Sequence, residues 1–396
     1  MSRLTAVFGL ALVALSSFSF AQGKEDKTTL NQKAIQSFGA KKFDEGIAHL
    51  MRALDLEPKD TGTAYNVACG YSLKGDVEKG LEWLGKAVDW GWGAGSGALI
   101  NTNTMISHAE MAKTDPDFEN LRKDPRFAKL IERMERAGAA RALALMKGEE
   151  YAATAAVYIP ERVATLKEMP ILVVLHDAGS TKDEVVKGRW KAIADELGFA
   201  LIAPSGKIPV GDDPAKGMLW YESIDEYAAL SVGFEKPVND AVSAFRKDHA
   251  IERSQVVVVG EGVGGHVALD VAINGPGLYR GAVTVNGLFR AQDYAAKAPA
   301  AGKMGLRVSL LVDASKSSKE AAPEGGIGKL VDAENKDLQA WGLAGESKAF
   351  TPDPKDVGDK RLLVEAIRYV LTKTVAAPAS APAGDPPKKP AEPPKK

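Results

Sequence analysis

Four glycines, Gly260, Gly262, Gly264 and Gly265, follow the β-branched run Val256 to Val259 and open another apolar stretch, with Glu261 and His266 set among them. Glycine at a strand-to-helix bend brings backbone N–H groups close to negative charge, whether a phosphate or a developing oxyanion. Read as Gly260-x-Gly262-x-x-Gly265, the stretch fits a dinucleotide loop. Read as Gly260 to Gly264, it fits a nucleophile elbow in which Gly262 stands where a hydroxyl is needed. A second apolar run ends in His176-Asp177, with Ser180 just beyond, and a later loop carries Trp220-Tyr221. His176, Asp177, Glu261 and His266 are the residue types of a metal site, yet they come from separate loops without tight ligand spacing. Ser180 is a hydroxyl available as a nucleophile, and with Trp220 and Tyr221 it would line a ligand pocket.

Six short runs, TAAVYIP, ILVVLHDAG, FALIAPSG, VVVVGEG, GAVTVNG and RVSLLVDAS, alternate with helical patterns. Their continuous apolarity suits strands covered on both faces, so the expected fold class is α/β, a doubly wound, mostly parallel sheet. In such a sheet ligands gather beyond the carboxyl ends of the strands. The dinucleotide reading fails on context. Several strands precede the glycines, and the next strand ends in Asn286-Gly287 rather than in the acidic residue that would hold a ribose. No cofactor is expected.

The segment MPILVVLHDAGSTKDEVVKGRWKAIADELGFALIAPSG resembles the strand, oxyanion loop, helix and strand that open α/β-hydrolase esterases, through His176-Asp177-Ala178-Gly179, Trp190 and Pro204-Ser205-Gly206. VNDAVSAFRKDHAIERSQVVVVGEGVGGHVALDVAINGP is similar to their helix, strand, elbow and helix, with Ala268, Ala272 and Pro276 in matching places. The resemblance spans residues 153 to 374 and is nearest to secreted phospholipase/carboxylesterase, feruloyl-esterase and polyhydroxybutyrate-depolymerase enzymes.

That resemblance implies a nucleophile, an acid and a histidine in this chain order. The nucleophile position is Gly262. The histidines are His49, His108, His176, His249 and His266, so none reaches ESKAFTPDPKDVGDK, where the base belongs. Asp353 or Asp356 would be a poor base there, with a pKa of about 4 against about 6.5 for imidazole. The acid position falls on Lys316 or Ser317, with Asp313 out of place, and the charge of Asp177 would repel a developing oxyanion. The expectation is a non-catalytic esterase relative acting in binding or scaffolding. Its rival is an active carboxylic-ester hydrolase working through Ser180, or through a metal at His176, Asp177, Glu261 and His266. In the first reading His176 ties its loop to the backbone, His266 faces solvent on the first helical turn, and Trp220 with Tyr221 forms a ligand wall or a closed lid.

An internal repeat precedes this region. Ala34 and Ala68, Gly46 and Gly80, Leu50 and Leu84, and Ala53 and Ala87 each stand 34 residues apart, a helix-turn-helix period. Asn66, Ala68, Tyr71, Gly75, Asp76, Gly80 and Ala87 resemble the tetratricopeptide repeat, which implies a surface for a protein or peptide partner. TDPDFENLRKDPRFAKLIERM reads as a third, degenerate unit whose two Asp-Pro-x-Phe stretches start helices. Trp83, Trp90 and Trp92 read as core or as a groove lining, and Cys69, the single cysteine, as a small buried helix residue without a disulfide partner.

MSRLTAVFGLALVALSSFSFAQG places Arg3 before about a dozen apolar residues and then Ser19 and Ala21 in cleavage-site spacing. It reads as an export signal to the periplasm or beyond, too short for the ~20 residues of a membrane span. The tail VAAPASAPAGDPPKKPAEPPKK is too rich in proline, alanine and lysine to bury a core. The expected division is a signal over 1–21, an all-α repeat region over 22–137, a linker helix over 138–152, the hydrolase-like domain over 153–374 and the tail over 375–396. With 51 lysines and arginines against 52 aspartates and glutamates, no basic surface argues for nucleic acid. The partners expected are a peptide or protein on the repeats and an ester-like small molecule at the pocket.

Overall fold

The computed structural model describes residues 26–95, 98–101, 104–221, 235–275, 277–287, 294–315, 326–353, 355 and 359–372. The export signal, the tail, Pro276, Lys316, Ser317 and Asp356 lie outside them. The chain divides into two compact units, Met1–Met146 and Lys147–Lys396.

In the first unit, helices α1 (Lys27–Gly39) and α3 (Thr61–Lys74) begin 34 residues apart, as do α2 (Phe43–Leu56) and α4 (Val77–Asp89). Aspartates start three of them: Asp26, Asp60 and Asp76, capping α1, α3 and α4, accept from the N–H groups of Thr29, Thr63 and Lys79. Gly75, at φ +86°, ends α3 in the left-handed turn that favours glycine. The repeated positions Ala34, Leu50, Ala53, Ala68, Leu84 and Ala87 are all fully buried. Trp83, Trp90 and Trp92 are partly buried against these clusters, and Trp92 stacks on His108 with centroids 4.0 Å apart.

The third helical unit does not follow the period. A hairpin of β1 (Ala98–Asn101) and β2 (Thr104–Ile106) and the helix His108–Thr114 precede it, and its first half forms two 3-10 turns, Pro116–Phe118 and Leu121–Lys123. Only the second Asp-Pro-x-Phe begins an α-helix, Pro125–Ala152; the first begins the 3-10 turn Pro116–Phe118. Phe118 and Leu121, one from each turn, are both fully buried.

The second unit is built on seven strands in the order β11-β10-β9-β8-β4-β5-β3. They are β3 (Ala156–Tyr158), β4 (Met169–Leu175), β5 (Ala200–Ala203), β8 (Ile251–Glu261), β9 (Gly281–Val285), β10 (Arg307–Asp313) and β11 (Ala344–Phe350), with β6 (Ile208–Pro209) and β7 (Met218–Leu219) forming a separate hairpin. All neighbours in the sheet are parallel except the edge pair β3 and β5. Side chains alternate across it: Ile171, Val173 and Leu175 of β4 join one apolar cluster with the helices Glu235–Asp248 and Val263–Asn274. Leu172 and Val174 join another with Arg189–Leu197 and Lys360–Leu371. The sheet is therefore covered on both faces, as the six apolar runs require. The seventh strand, β11, was not among those runs.

Strand order reverses between β4 and β8, which run side by side with Leu175 opposite Gly260. Their carboxyl ends therefore open the crevice in which a doubly wound sheet holds its ligand. Elsewhere the helix Glu235–Asp248 is bound to Val263–Asn274 through Glu235, whose carboxyl hydrogen-bonds Asp270 and accepts from Asn274 Nδ2. Burial, with the charge of Asp270 beside it, pushes the Glu235 carboxyl up to about 7. The folded chain then holds a proton that the unfolded chain releases near pH 4.3, so this residue's contribution to stability falls as pH rises from about 4.5 to about 7. Melting temperatures across that range are expected to drop in the wild type relative to Glu235→Gln; parallel curves would refute the assignment.

Candidate functional site: an elbow without a hydroxyl

The strand β8 ends in Glu261, and Gly262 turns the chain into the helix Val263–Asn274. Gly262 holds φ +50° and ψ −119°, a conformation that a side chain resists and that the elbow demands. Its N–H donates to Val285 O at 2.8 Å, and its carbonyl accepts from the Gly265 N–H at 3.0 Å. The flanking glycines are needed for space. A Cβ on Gly264 would lie 2.7 Å from Leu175 O and closer still to His176 O, and one on Gly260 would meet Gly264 O.

Beside the bend, β4 delivers His176 and Asp177. His176 is buried, and its Nε2 accepts the Gly206 N–H at 3.1 Å, so the proton sits on Nδ1 and is donated to Asp177 O at 2.8 Å. Burial lowers its pKa, which keeps the ring neutral and fixed as a loop tie. The Asp177 carboxylate reaches over the elbow. Its Oδ1 accepts from the Ala178 N–H at 2.7 Å and from the Val263 N–H at 3.2 Å. A Cβ built on Gly262 would overlap this carboxylate, 2.5 Å from its Cγ.

One expectation changes here and two open readings narrow. His266 does not face solvent: it is 1% exposed, with Nδ1 2.9 Å from the Tyr221 hydroxyl. The helix it belongs to is apolar and buried from Gly264 through Ile273, except at Asp270, so its first turn has no wet side for an imidazole. Of the two readings of Trp220 and Tyr221, their burial favours the closed one over the ligand wall. Trp220 is 1% exposed, stacks on His176 with centroids 5.1 Å apart and donates to His176 O at 2.9 Å, while Tyr221 is turned to His266. Ser180 Oγ donates to Glu184 at 2.7 Å as part of the cap of the helix Lys182–Lys187, a carboxylate contact rather than an imidazole one.

The four groups weighed as a metal site hold separate partners. Glu261 accepts the Trp190 indole N–H at 2.7 Å and pairs with Arg189, away from Asp177 and His266. Among the described residues no group of three or more His, Cys, Asp or Glu side chains gathers as a metal site would need. Asp313, at the end of β10, is buried and accepts from Ser315 N at 2.8 Å and Ser315 Oγ at 2.7 Å. Asp353 accepts from Lys355 N at 2.9 Å.

Sequence reasoning missed Arg189 and Asp359. Arg189 pairs with Glu261 and lies 3.9 Å from Asp359, which begins the last helix at φ +54°. The chain segment that would carry a catalytic histidine is thus tied by charge to the elbow strand. An arginine next to Trp190, and an aspartate directly before the last helical pattern, were the available signals.

Residues 153–311 match the family described as Esterase PHB depolymerase. Together with the strand order and the glycine bend, this match supports an α/β-hydrolase, esterase-like fold for the second unit. Among solved structures, an uncharacterized protein from Bacillus cereus shares 16% identity, with 87% of this chain and 99% of that chain covered at a TM-score of 0.39. An S-formylglutathione hydrolase from Staphylococcus aureus shares 15%, covering 55% and 89% at 0.39. A dienelactone hydrolase-like promiscuous phosphotriesterase from metagenomic libraries shares 14%, covering 54% and 91% at 0.40. At such scores these likenesses carry no argument of their own. The curated proteins offer no match. Among the described residues, no helix is long and apolar enough to cross a membrane.

Proposed function

We propose that the protein is an exported esterase relative that serves in binding or scaffolding and does not hydrolyse esters. The elbow carries this reading. Gly262 keeps the backbone of the nucleophile position without an oxygen, and the Asp177 carboxylate fills the space where a side chain would stand. The two imidazoles of the region support it, since His176 is held by backbone groups and His266 by Tyr221. Without a nucleophile and base, binding and oxyanion donors alone give about 10³ to 10⁴ over water in serine enzymes, and here the Val263 and Ala178 N–H groups already face a carboxylate.

The 34-residue spacing of α1 to α4 supports a tetratricopeptide-like array that takes a protein or peptide. Export rests on the first 21 residues. The second reading, an active carboxylic-ester hydrolase, draws on the esterase match over 153–311. Short-chain chromogenic esters and a fluorophosphonate probe separate the two. Neither turnover nor labelling above a heat-unfolded control is expected, and either one from the native protein would overturn the non-catalytic reading.

A further inference from the structure

We propose that Asp177 is a built-in occupant of the oxyanion position, so that the chain itself closes a pocket that also lacks its nucleophile. This deepens the non-catalytic reading, on which it rests, by naming what fills the site instead of substrate.

In α/β-hydrolases the oxyanion is held by the N–H of the residue after the nucleophile and by an N–H from the loop after the neighbouring strand. Val263 follows Gly262, and Ala178 lies in the loop after β4. Both N–H groups donate to one oxygen, Asp177 Oδ1. A carboxylate oxygen so placed reproduces the charge and hydrogen bonds of the tetrahedral intermediate that the donors would serve. It also sits at the positive end of the twelve-residue helix Val263–Asn274, where negative charge is favoured.

Gly262 and Asp177 depend on each other. With the carboxylate in place only hydrogen fits at position 262, because a Cβ would overlap Oδ1 and both other carboxyl atoms crowd it, at 2.5 and 2.8 Å. With a side chain at 262, Asp177 would have to swing out and abandon the Val263 N–H. Glycine at the bend therefore answers two demands, a positive φ and an empty volume, and a substrate acyl oxygen reaches the donors only by expelling Asp177.

The test uses the full chain with ¹⁵N labelling. Asp177→Gly is expected to speed hydrogen exchange at the Val263 amide by roughly tenfold or more, the value of a charge-assisted hydrogen bond, while amides in the sheet keep their protection. In a double-mutant cycle, Gly262→Ala is expected to lower the folding constant about tenfold less in the Asp177→Gly background than in the wild type. Unchanged Val263 exchange in a folded Asp177→Gly protein, or equal costs of Gly262→Ala in both backgrounds, would overturn the proposal. Should Gly262→Ala fail to fold in either background, the Val263 exchange decides alone. Fluorophosphonate labelling of the wild type would instead remove the non-catalytic reading, so the two failures are told apart.

Discussion

Gly264→Ala is expected to leave the second unit unfolded, or to cost it about 3 kcal/mol or more in urea denaturation. The added methyl would be driven into backbone, His176 O and Leu175 O, at the carboxyl end of β4. Those atoms cannot step aside singly, because β4 is hydrogen-bonded on one side to β8 and on the other to β5. Two other glycines calibrate the size. At Gly46 the obstacle is the ring of Phe38, a side chain that can shift, so alanine there is expected to cost about 1 kcal/mol. Gly328, inside the helix Gly326–Ala340, has nothing within 4 Å of a built Cβ, and alanine there is expected to stabilise by about 0.5 to 1 kcal/mol. Equal losses at all three positions would show that space at the bend is not what glycine supplies.

The second large effect is expected at Trp220. It is fully buried, stacks on His176 and donates its indole N–H to His176 O. Trp220→Ala removes the packing and is expected to cost about 3 to 5 kcal/mol. Trp220→Phe keeps most of the ring and leaves a buried carbonyl without its donor, for about 1 to 3 kcal/mol. If phenylalanine proved as damaging as alanine, the hydrogen bond rather than the stacking would be what holds the His176 loop. If both were neutral, the residue would face a ligand space after all.

Much of the fold could be read directly because burial leaves a mark on composition. Strands covered on both faces must be apolar, and five of the six runs became the inner strands β4, β5, β8, β9 and β10, while the sixth became the edge strand β3, where Val157 is exposed. The helical period of the first unit was also legible, since α1 and α3, like α2 and α4, begin 34 residues apart, the spacing at which small and large residues recur in the sequence. The strand β11 escaped because its sequence is polar: AGESKAF buries Ser347 and leaves Glu346 and Lys348 partly exposed, so it reads as loop. The site divides in the same way. Absence of a hydroxyl at Gly262 is a fact of spelling, whereas the direction of a side chain is a fact of packing. Glu261 turning to Trp190 and Arg189, His266 turning inward to Tyr221, and Asp177 bending over the elbow all depend on neighbours remote in the chain.

The bend itself implies a ratchet. A serine held at such a positive φ stores strain of about 1 to 3 kcal/mol, and any chain that trades it for glycine becomes steadier by that amount while surrendering its oxygen. With the Asp177 carboxylate occupying that volume, placing a side chain at 262 requires a second, simultaneous change at 177. On the proposed reading, glycine at the bend and the acid beside it hold each other in place, because any side chain there must bear the positive φ and displace the Asp177 carboxylate together.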